Sequence, residues 1–201
     1  GLPMTAVDDW RFAARFGEVI GISDGVVAHS NAFSTFDSGE EASLRTNDGE
    51  VYTGVKWMCV EFARRFWFVK YGVTFGSVET AADMWAETKS AGKPNGDSRG
   101  VVARENGGST KPRRGDLLIY DRAERDFLGA GHVAVIVEVK EKRIKVAEQN
   151  WDNRPWQLER SARYLSLTEE GGAYRITDEN PMPDGGEPLG EEVIRGWLRL
   201  E

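Results

Sequence analysis

The chain has few of the residues that carry redox and metal chemistry: among its 201 residues are one cysteine and two histidines. One cysteine cannot form an internal disulfide, so the fold does not require an oxidising compartment, and we expect a cytoplasmic protein. No metal-ligand spacing, phosphate-binding glycine loop or dinucleotide fingerprint is present, so we expect no cofactor. No apolar run approaches the roughly 18 residues of a membrane span, so we expect none.

The chain also has fewer basic than acidic residues. The 26 Lys and Arg residues face 33 Asp and Glu residues, which gives a net charge of −7. This balance argues against nucleic acid or an anionic membrane as the main partner and suits a small cationic substrate better. The chain does contain 40% hydrophobic residues, with seven Trp and nine Phe, and we expect a packed core. We expect one domain over residues 1–201, with residues 1–20 as an N-terminal extension; the sequence indicates no oligomeric state.

Hydrophobic periodicity predicts a prominent helix followed by strands. Apolar residues at helical spacing predict a helix from Cys59 to about Tyr71, which Gly72 ends. Strands are predicted at residues 117–120, in a hairpin of residues 132–140 and 143–149, and near residues 156–164. The other predictions are a leading helix within residues 1–16, a strand and turn at 17–30, a long loop at 31–54, a helical segment at 80–89, a mobile loop at 90–114, a Pro/Gly-rich loop at 181–188 and a last apolar segment at 193–198. A helix followed by an antiparallel sheet indicates an α+β fold in which the helix of Cys59 packs on the sheet.

The single cysteine occupies a position that favours a reactive thiol. Cys59 stands where an extended segment turns into the predicted helix, so we expect its sulfur near unpaired backbone N–H groups and the positive end of the helix dipole. Both features stabilise a thiolate and lower the pKa of the thiol. The alternative is a small buried hydrophobic residue, and the partners described next favour a nucleophile.

A cysteine nucleophile requires an imidazole base and a third group that orients the base. His132 follows Gly131 at the start of an apolar strand, where its ring can face an opening and the glycine lets another backbone approach closely. On the next predicted strand Glu148 and Asn150 share one face, and either could accept a hydrogen bond from the His132 ring. Because a carboxylate also stabilises an imidazolium, we expect Glu148 to orient His132 and Asn150 to support the site or contact the substrate.

Three ordered segments of the sequence, residues 56–66, 131–134 and 147–150, closely resemble the amidase domain of glutathionylspermidine and trypanothione synthetase-amidases. Those amidases belong to the CHAP family of papain-like cysteine amidohydrolases, and the resemblance runs from about Gly21 to the C-terminus. It implies a papain-like CHAP fold in which the nucleophile-bearing helix packs on an antiparallel β-sheet. It also implies hydrolysis of the amide between the glycine carboxyl of glutathione and an amine of spermidine. The ATP-using synthetase half of the bifunctional enzymes has no room in this chain.

The resemblance also implies roles for individual residues. Cys59 matches the nucleophile, His132 the base and Glu148 the third member, while Asn150 and Arg64 match polar residues of the site. Arg64 could instead pair with Glu61 on the helix surface. Two positions depart from the family. Met58, a substrate-binding candidate, stands where a glutamine is usual and has no amide to donate, and His29 stands where a tyrosine is frequent.

Three functions therefore stay open at this stage. The first is a thiol amidase that acts on a small-molecule or peptide amide, with a glutathione–polyamine conjugate as the expected substrate. The second uses the same chemistry as a peptidoglycan endopeptidase of the D-alanyl-glycyl type, since other CHAP domains cut cell-wall peptides. The third is a non-catalytic ligand-binding CHAP module, which the change at Met58 keeps open.

Overall fold

The computed structural model of the protein describes residues 13–123, 129–180 and 193–201. Within these ranges the chain forms twelve β-strands and two α-helices, so the structure is mostly β. The strands are β1 (Val19–Ser23), β2 (Val26–His29), β3 (Glu41–Thr46), β4 (Gly49–Val55), β5 (Ser90–Gly92), β6 (Ser98–Glu105), β7 (Leu117–Tyr120), β8 (His132–Val139), β9 (Arg143–Ala147), β10 (Arg163–Glu170), β11 (Ala173–Thr177) and β12 (Ile194–Leu200). The helices are α1 (Cys59–Tyr71) and α2 (Met84–Glu87). Neither helix of the described ranges is long and apolar enough to span a membrane.

Eight strands form one antiparallel sheet in the order β11-β10-β9-β8-β7-β12-β6-β5. Just after β6, the backbone N–H of Gly107 donates to the carbonyl oxygen of Tyr174 in β11 at 2.7 Å, and the N–H of Tyr174 donates to Gly108 at 2.8 Å. The side-chain amide of Asn106 also pairs with both backbone groups of Ile176, at 2.7 and 2.9 Å. The segment that follows β6 is therefore hydrogen-bonded to β11, the edge strand at the far side of the sheet.

Strands β7 and β8, at the centre of this sheet, are buried on both faces, and this explains why the sequence of β8 is apolar almost throughout. Val133 and Val135 belong to the core shared with α1, whereas Ala134 and Ile136 belong to a second core with Trp197. Side chains alternate between the faces of a strand, so a strand between two cores needs apolar residues at every position. Each such large apolar side chain contributes about 1.5–3 kcal/mol by leaving water.

Helix α1 forms as its sequence predicts. Its buried face carries Phe62, Phe66 and Trp67, which recur at helical spacing and pack against the sheet. The helix ends at Gly72, whose φ of 70° lies in the left-handed region and whose N–H donates to the carbonyl oxygen of Phe68 at 2.9 Å. Because α1 begins at Cys59, the start of this helix sets the position of the cysteine relative to strand β8.

Several predicted elements are confirmed. The segment 17–30 forms the β1–β2 hairpin, with its turn at Asp24 and Gly25, both of positive φ. The strand predicted at 117–120 is β7, the hairpin of residues 132–149 is β8 and β9, and the last apolar segment contributes β12. The expected antiparallel sheet is therefore present, although the fold has fewer helical residues than the predicted α+β balance.

Other predictions are wrong or lie outside the described residues. The loop predicted at 31–54 contains the β3–β4 hairpin, and the loop predicted at 90–114 contains β5 and β6. The helical segment predicted at 80–89 is reduced to the single turn α2, and the strand predicted near 156–164 is β10, which begins only at Arg163. The loop predicted at 181–188 lies outside the described residues, as does all of the predicted leading helix except residues 13–16, which are not helical.

Candidate active site

The start of helix α1 meets the start of strand β8. The Cys59 thiol and the His132 imidazole are hydrogen-bonded to each other, and the backbone N–H groups of Val133 and Val60 also contact the sulfur. The other side of the imidazole is held by Glu148, whose Oε1 lies 2.8 Å from His132 Nε2. Since Nε2 is engaged by Glu148, the remaining ring nitrogen, Nδ1, is the one available to the thiol. The thiol, the imidazole and the carboxylate thus form one chain of hydrogen bonds.

The three residues of this chain differ in exposure. Cys59 is partly exposed, whereas His132 and Glu148 are 3% and 2% exposed. The two supporting groups are therefore shielded from water, and Cys59 is the most exposed of the three. In such a shielded site, charge interactions are stronger than in water.

The three groups shift one another's protonation. Burial raises the pKa of the Cys59 thiol, but its hydrogen bond to His132 and the charge of the imidazole outweigh burial and lower it. Burial lowers the pKa of His132, yet its hydrogen bonds to Cys59 and Glu148 raise it to about 9. Burial also raises the pKa of Glu148, and the charge of Arg163 with the hydrogen bond from His132 lowers it to about 2. These directions favour a thiolate beside an imidazolium.

Gly131 lets the ring of His132 reach this place. Its φ is 70°, and a Cβ at this position would lie 2.5 Å from the carbonyl oxygen of Tyr120 and 2.8 Å from the Cβ of Ala82. Only glycine fits such a close approach of backbones in the left-handed region. The expectation that the glycine before His132 serves a close backbone approach is confirmed.

Behind Glu148 lies a buried network that the sequence did not reveal. Arg163 Nε donates to Glu148 Oε2 at 2.6 Å, and its Nη2 donates to Oε1 at 3.1 Å. The same guanidinium donates from Nη1 to Asp178 Oδ2 at 2.6 Å, and Asp178 also accepts from the Tyr120 hydroxyl at 2.6 Å. The Trp151 ring covers the group, with the guanidinium carbon of Arg163 4.0 Å from its centre and the His132 ring 4.8 Å away.

Residues 148–150 form three consecutive supports of the site. Strand β9 ends at Ala147, and Asn150 has a φ of 59°, so the predicted alternation does not extend to these residues. Of the two predicted partners for His132, the structure places Glu148 against the ring. Asn150 instead donates to the carbonyl oxygen of Ser34 at 3.0 Å and lies 3.7 Å from the Met58 sulfur.

The side chain of Gln149, between these two residues, contacts the start of α1. Its Nε2 donates to the carbonyl oxygen of Met58 at 2.9 Å and to Glu61 Oε1 at 3.0 Å. Its Oε1 accepts from the backbone N–H of His29 at 2.9 Å and from Arg65 Nη2 at 3.2 Å. Gln149 is fully buried, and no feature of the sequence singled it out.

Glu61 and Arg65 form a buried ion pair on α1. Both are buried, and Arg65 Nε donates to Glu61 Oε2 at 2.9 Å, while the Thr53 hydroxyl donates to the same oxygen at 2.7 Å.

Beside this pair, His29 stacks on Trp57 with ring centres 4.0 Å apart, and burial lowers the pKa of His29. A cavity of about 410 Å³ opens here, and none of the described residues that line it belongs to the chain of Cys59, His132 and Glu148.

Arg64 lies within the scaffold. Its three nitrogens donate to the carbonyl oxygens of Phe75, Thr53 and Gly76, at 2.9, 2.7 and 2.9 Å. The alternative pairing with Glu61 at the helix surface is not what the structure has, since Glu61 pairs with Arg65. A contact of Arg64 with substrate stays a prediction.

Comparison with known proteins shows the family to which the chain belongs. A family model described as the CHAP domain matches residues 50–150, a range that contains Cys59, His132 and Glu148. The bifunctional glutathionylspermidine synthetase/amidase of Escherichia coli (strain K12) is 35% identical over 190 residues, a match that covers 92% of this chain and 29% of that protein. The trypanothione synthetase of Crithidia fasciculata is 32% identical over 183 residues, covering 90% of this chain and 27% of that protein. The chain therefore spans less than a third of the length of these curated relatives.

Proposed function

Because the chain belongs to the CHAP domain family, we propose that it is a cysteine amidohydrolase with Cys59 as nucleophile, His132 as base and acid, and Glu148 as the carboxylate that orients His132. The observation that carries the proposal is the hydrogen-bonded chain from the Cys59 thiol through the imidazole to Glu148 Oε1, 2.8 Å from Nε2. A nucleophile, a base and an orienting group in contact form the arrangement that covalent catalysis needs.

In the acylation step, the Cys59 thiolate attacks the carbonyl carbon of the amide and forms a tetrahedral oxyanion. When this intermediate collapses, the carbon–nitrogen bond breaks and the imidazolium of His132 gives its proton to the departing amine. The products of the step are the free amine and a thioester on Cys59. The hydrogen bond from Nε2 to Glu148 keeps the ring aligned while its charge changes.

In the deacylation step, His132 takes a proton from a water molecule, which attacks the thioester carbonyl. The carbon–sulfur bond then breaks, the acyl group leaves as a carboxylic acid, and the imidazolium and thiolate are restored as an ion pair. The backbone N–H of Cys59, at the start of α1, is the proposed donor to the oxyanion in both steps.

Glutathionylspermidine is the proposed substrate. Support comes from the E. coli relative, whose name includes glutathionylspermidine and an amidase and which is 35% identical over 92% of this chain. A spermidine leaving group would be cationic, and the net charge of −7 suits such a product. We propose that Asn150, Met58 and Arg64 contact or frame the substrate, within a single-domain papain-like arrangement in which α1 presents the nucleophile.

The substrate proposal is tested by product analysis of the purified protein with two compounds, glutathionylspermidine and a muropeptide containing a D-alanyl-glycyl bond. We expect release of glutathione and spermidine and no cleavage of the muropeptide. Cleavage of the muropeptide alone would favour a peptidoglycan endopeptidase. Binding of either compound without turnover, measured by calorimetry, would favour the ligand-binding module.

A further inference from the structure

We infer that Arg163 and Asp178 extend the Cys59–His132–Glu148 chain as a charge-balanced positioning pair, in which Arg163 fixes the Glu148 carboxylate and Asp178 fixes Arg163. The inference rests on the proposed function. Neither residue touches the thiol or the imidazole in the described contacts, so both act through Glu148.

The geometry of Arg163 leaves Glu148 little freedom. Both carboxylate oxygens accept hydrogen bonds from the guanidinium, at 2.6 and 3.1 Å, and Oε1 also faces His132 Nε2 at 2.8 Å. A two-point contact from a planar guanidinium fixes the plane of a carboxylate as well as its position. Rotation of Glu148 away from His132 would therefore break two contacts with Arg163.

Arg163 is itself fixed from three sides. Asp178 Oδ2 accepts from its Nη1 at 2.6 Å, the Tyr120 hydroxyl accepts from its Nη2 at 3.1 Å, and the Trp151 ring covers its face at 4.0 Å. Asp178 is in turn held by Asn180, whose side-chain amide and backbone N–H donate to Oδ1 at 2.9 and 3.1 Å. The arginine side chain is 11% exposed and the aspartate is fully buried.

The charges of this cluster favour a proton on His132. Two carboxylates, Glu148 and Asp178, accompany one guanidinium, so the cluster has one excess negative charge when His132 is neutral and none when it is an imidazolium. Among the described residues, the other titratable groups facing the cluster are the Cys59 thiol, the Tyr120 phenol and the exposed Asp152 carboxylate. Asp178 therefore cancels the charge of Arg163 and leaves the charge of Glu148 to act on His132.

Substitutions of the two members of this ion pair should shift the pKa of His132 in opposite directions. Asp178→Asn removes a negative charge and should lower the pKa of His132, whereas Arg163→Gln removes a positive charge and should raise it, each by about half a unit to one unit. A residue pair that served only packing would not shift the pKa in opposite directions. NMR of the two labelled imidazoles, with His29 assigned by comparison with His132→Gln, measures the shift without any substrate.

Kinetics of amide cleavage test the positioning role of Arg163. Arg163→Lys keeps the charge but cannot hold both carboxylate oxygens, so we expect a wild-type His132 pKa with kcat reduced about tenfold and KM unchanged. The control Arg143→Gln alters an exposed arginine that lies 4.2 Å over the Tyr164 ring, and it should change neither quantity.

The outcomes separate this inference from the proposed function. Shifts of His132 in the same direction, no shift in either variant, or full activity of Arg163→Lys would overturn the inference. If Arg163→Gln does not fold, the downward shift in Asp178→Asn decides the question alone. A wild-type protein with an unperturbed His132 and no turnover would instead contradict the proposed function.

Discussion

The side-chain amide of Gln149 donates a hydrogen bond to the carbonyl oxygen of Met58 at 2.9 Å. Met58 is the residue before Cys59, and Gln149 is the residue after Glu148. This one contact therefore ties the start of the cysteine helix to the segment that holds His132 in place. It is one of the contacts that set the relative position of the thiol and the imidazole.

Replacing Gln149 with leucine should destabilise the fold. The substitution leaves the Met58 carbonyl, Glu61 and Arg65 each short of a buried partner, and we expect a loss of about 3 kcal/mol in the free energy of unfolding. Urea denaturation measures this loss. The control is Gln157→Leu, which alters an exposed glutamine. Equal stability of the two variants would show that this link is dispensable.

The reactivity of the thiol should depend on His132. Because the hydrogen bond and charge of His132 lower the pKa of Cys59, the wild-type protein should react with iodoacetamide at a lower pH than an ordinary thiol does. His132→Gln should move the alkylation profile to higher pH by more than about one unit. Cys59 is the only cysteine, so no other thiol contributes. Coincident profiles for the two proteins would rule out the thiolate–imidazolium pair.

Amide cleavage should decline in alkaline solution. The pKa of His132 is raised to about 9, so the imidazolium that protonates the leaving amine is lost as the pH rises through about 9. We expect kcat/KM to rise with ionisation of the thiol, reach a plateau and fall above about pH 9. Activity that keeps rising beyond this value would mean that His132 is not the acid.

The carboxylate of Glu148 should contribute to acid stability. Its pKa is lowered from 4.5 to about 2, so the contribution is fully present above 4.5 and is lost as the pH falls towards 2. The stability difference between wild type and Glu148→Gln should shrink by about 3 kcal/mol across this range. Glu170→Gln, which alters an exposed carboxylate, is the control for general acid effects. A difference that stays constant with pH would contradict the lowered pKa.

An amide at position 58 should increase turnover. Met58 caps α1 without a side-chain hydrogen bond, lies next to Asn150 and directly precedes Cys59. Met58→Gln offers an additional donor to the oxyanion, for which we expect a rise in kcat of about tenfold, while Met58→Leu, which has no amide, should leave kcat unchanged. Steady-state rates with glutathionylspermidine measure both, and equal rates for the two variants would exclude an oxyanion role for this side chain.

The central part of the site could be predicted because it depends on local rules. The start of α1 at Cys59 follows from apolar periodicity, and the apolar strand after His132 follows from its composition. Pairing across the β8–β9 hairpin then brings Glu148 towards His132. The choice between Glu148 and Asn150 also followed from chemistry, since a carboxylate matches an imidazolium.

The supporting network could not be predicted in the same way. In sequence, Arg163 stands among charged and polar residues and resembles a surface arginine, and its strand begins seven residues later than predicted. Asp178 follows β11, an element the sequence did not reveal. Its contact with Arg163 depends on pairing of β10 with both β9 and β11. Buried charges of this kind become visible only when strand order and register are known.

The β3–β4 hairpin was missed for a different reason. Only three of the thirteen residues in its two strands are buried, so the apolar signal that identifies a strand is weak. The turn signal was nevertheless present at Asp48 and Gly49, where Gly49 has a φ of 113°. These turn residues are the sequence signal from which the β3–β4 hairpin could be predicted.

The identity of the nucleophile is the central claim. It is tested most directly by incubating wild type and Cys59→Ala with glutathionylspermidine, quenching in acid and analysing both the released spermidine and the intact protein by mass spectrometry. We predict spermidine release by wild type alone, with any acyl adduct of the quenched protein mapping to the peptide that contains Cys59. Release of spermidine by Cys59→Ala at the wild-type rate, or an adduct on any other residue, would contradict the account.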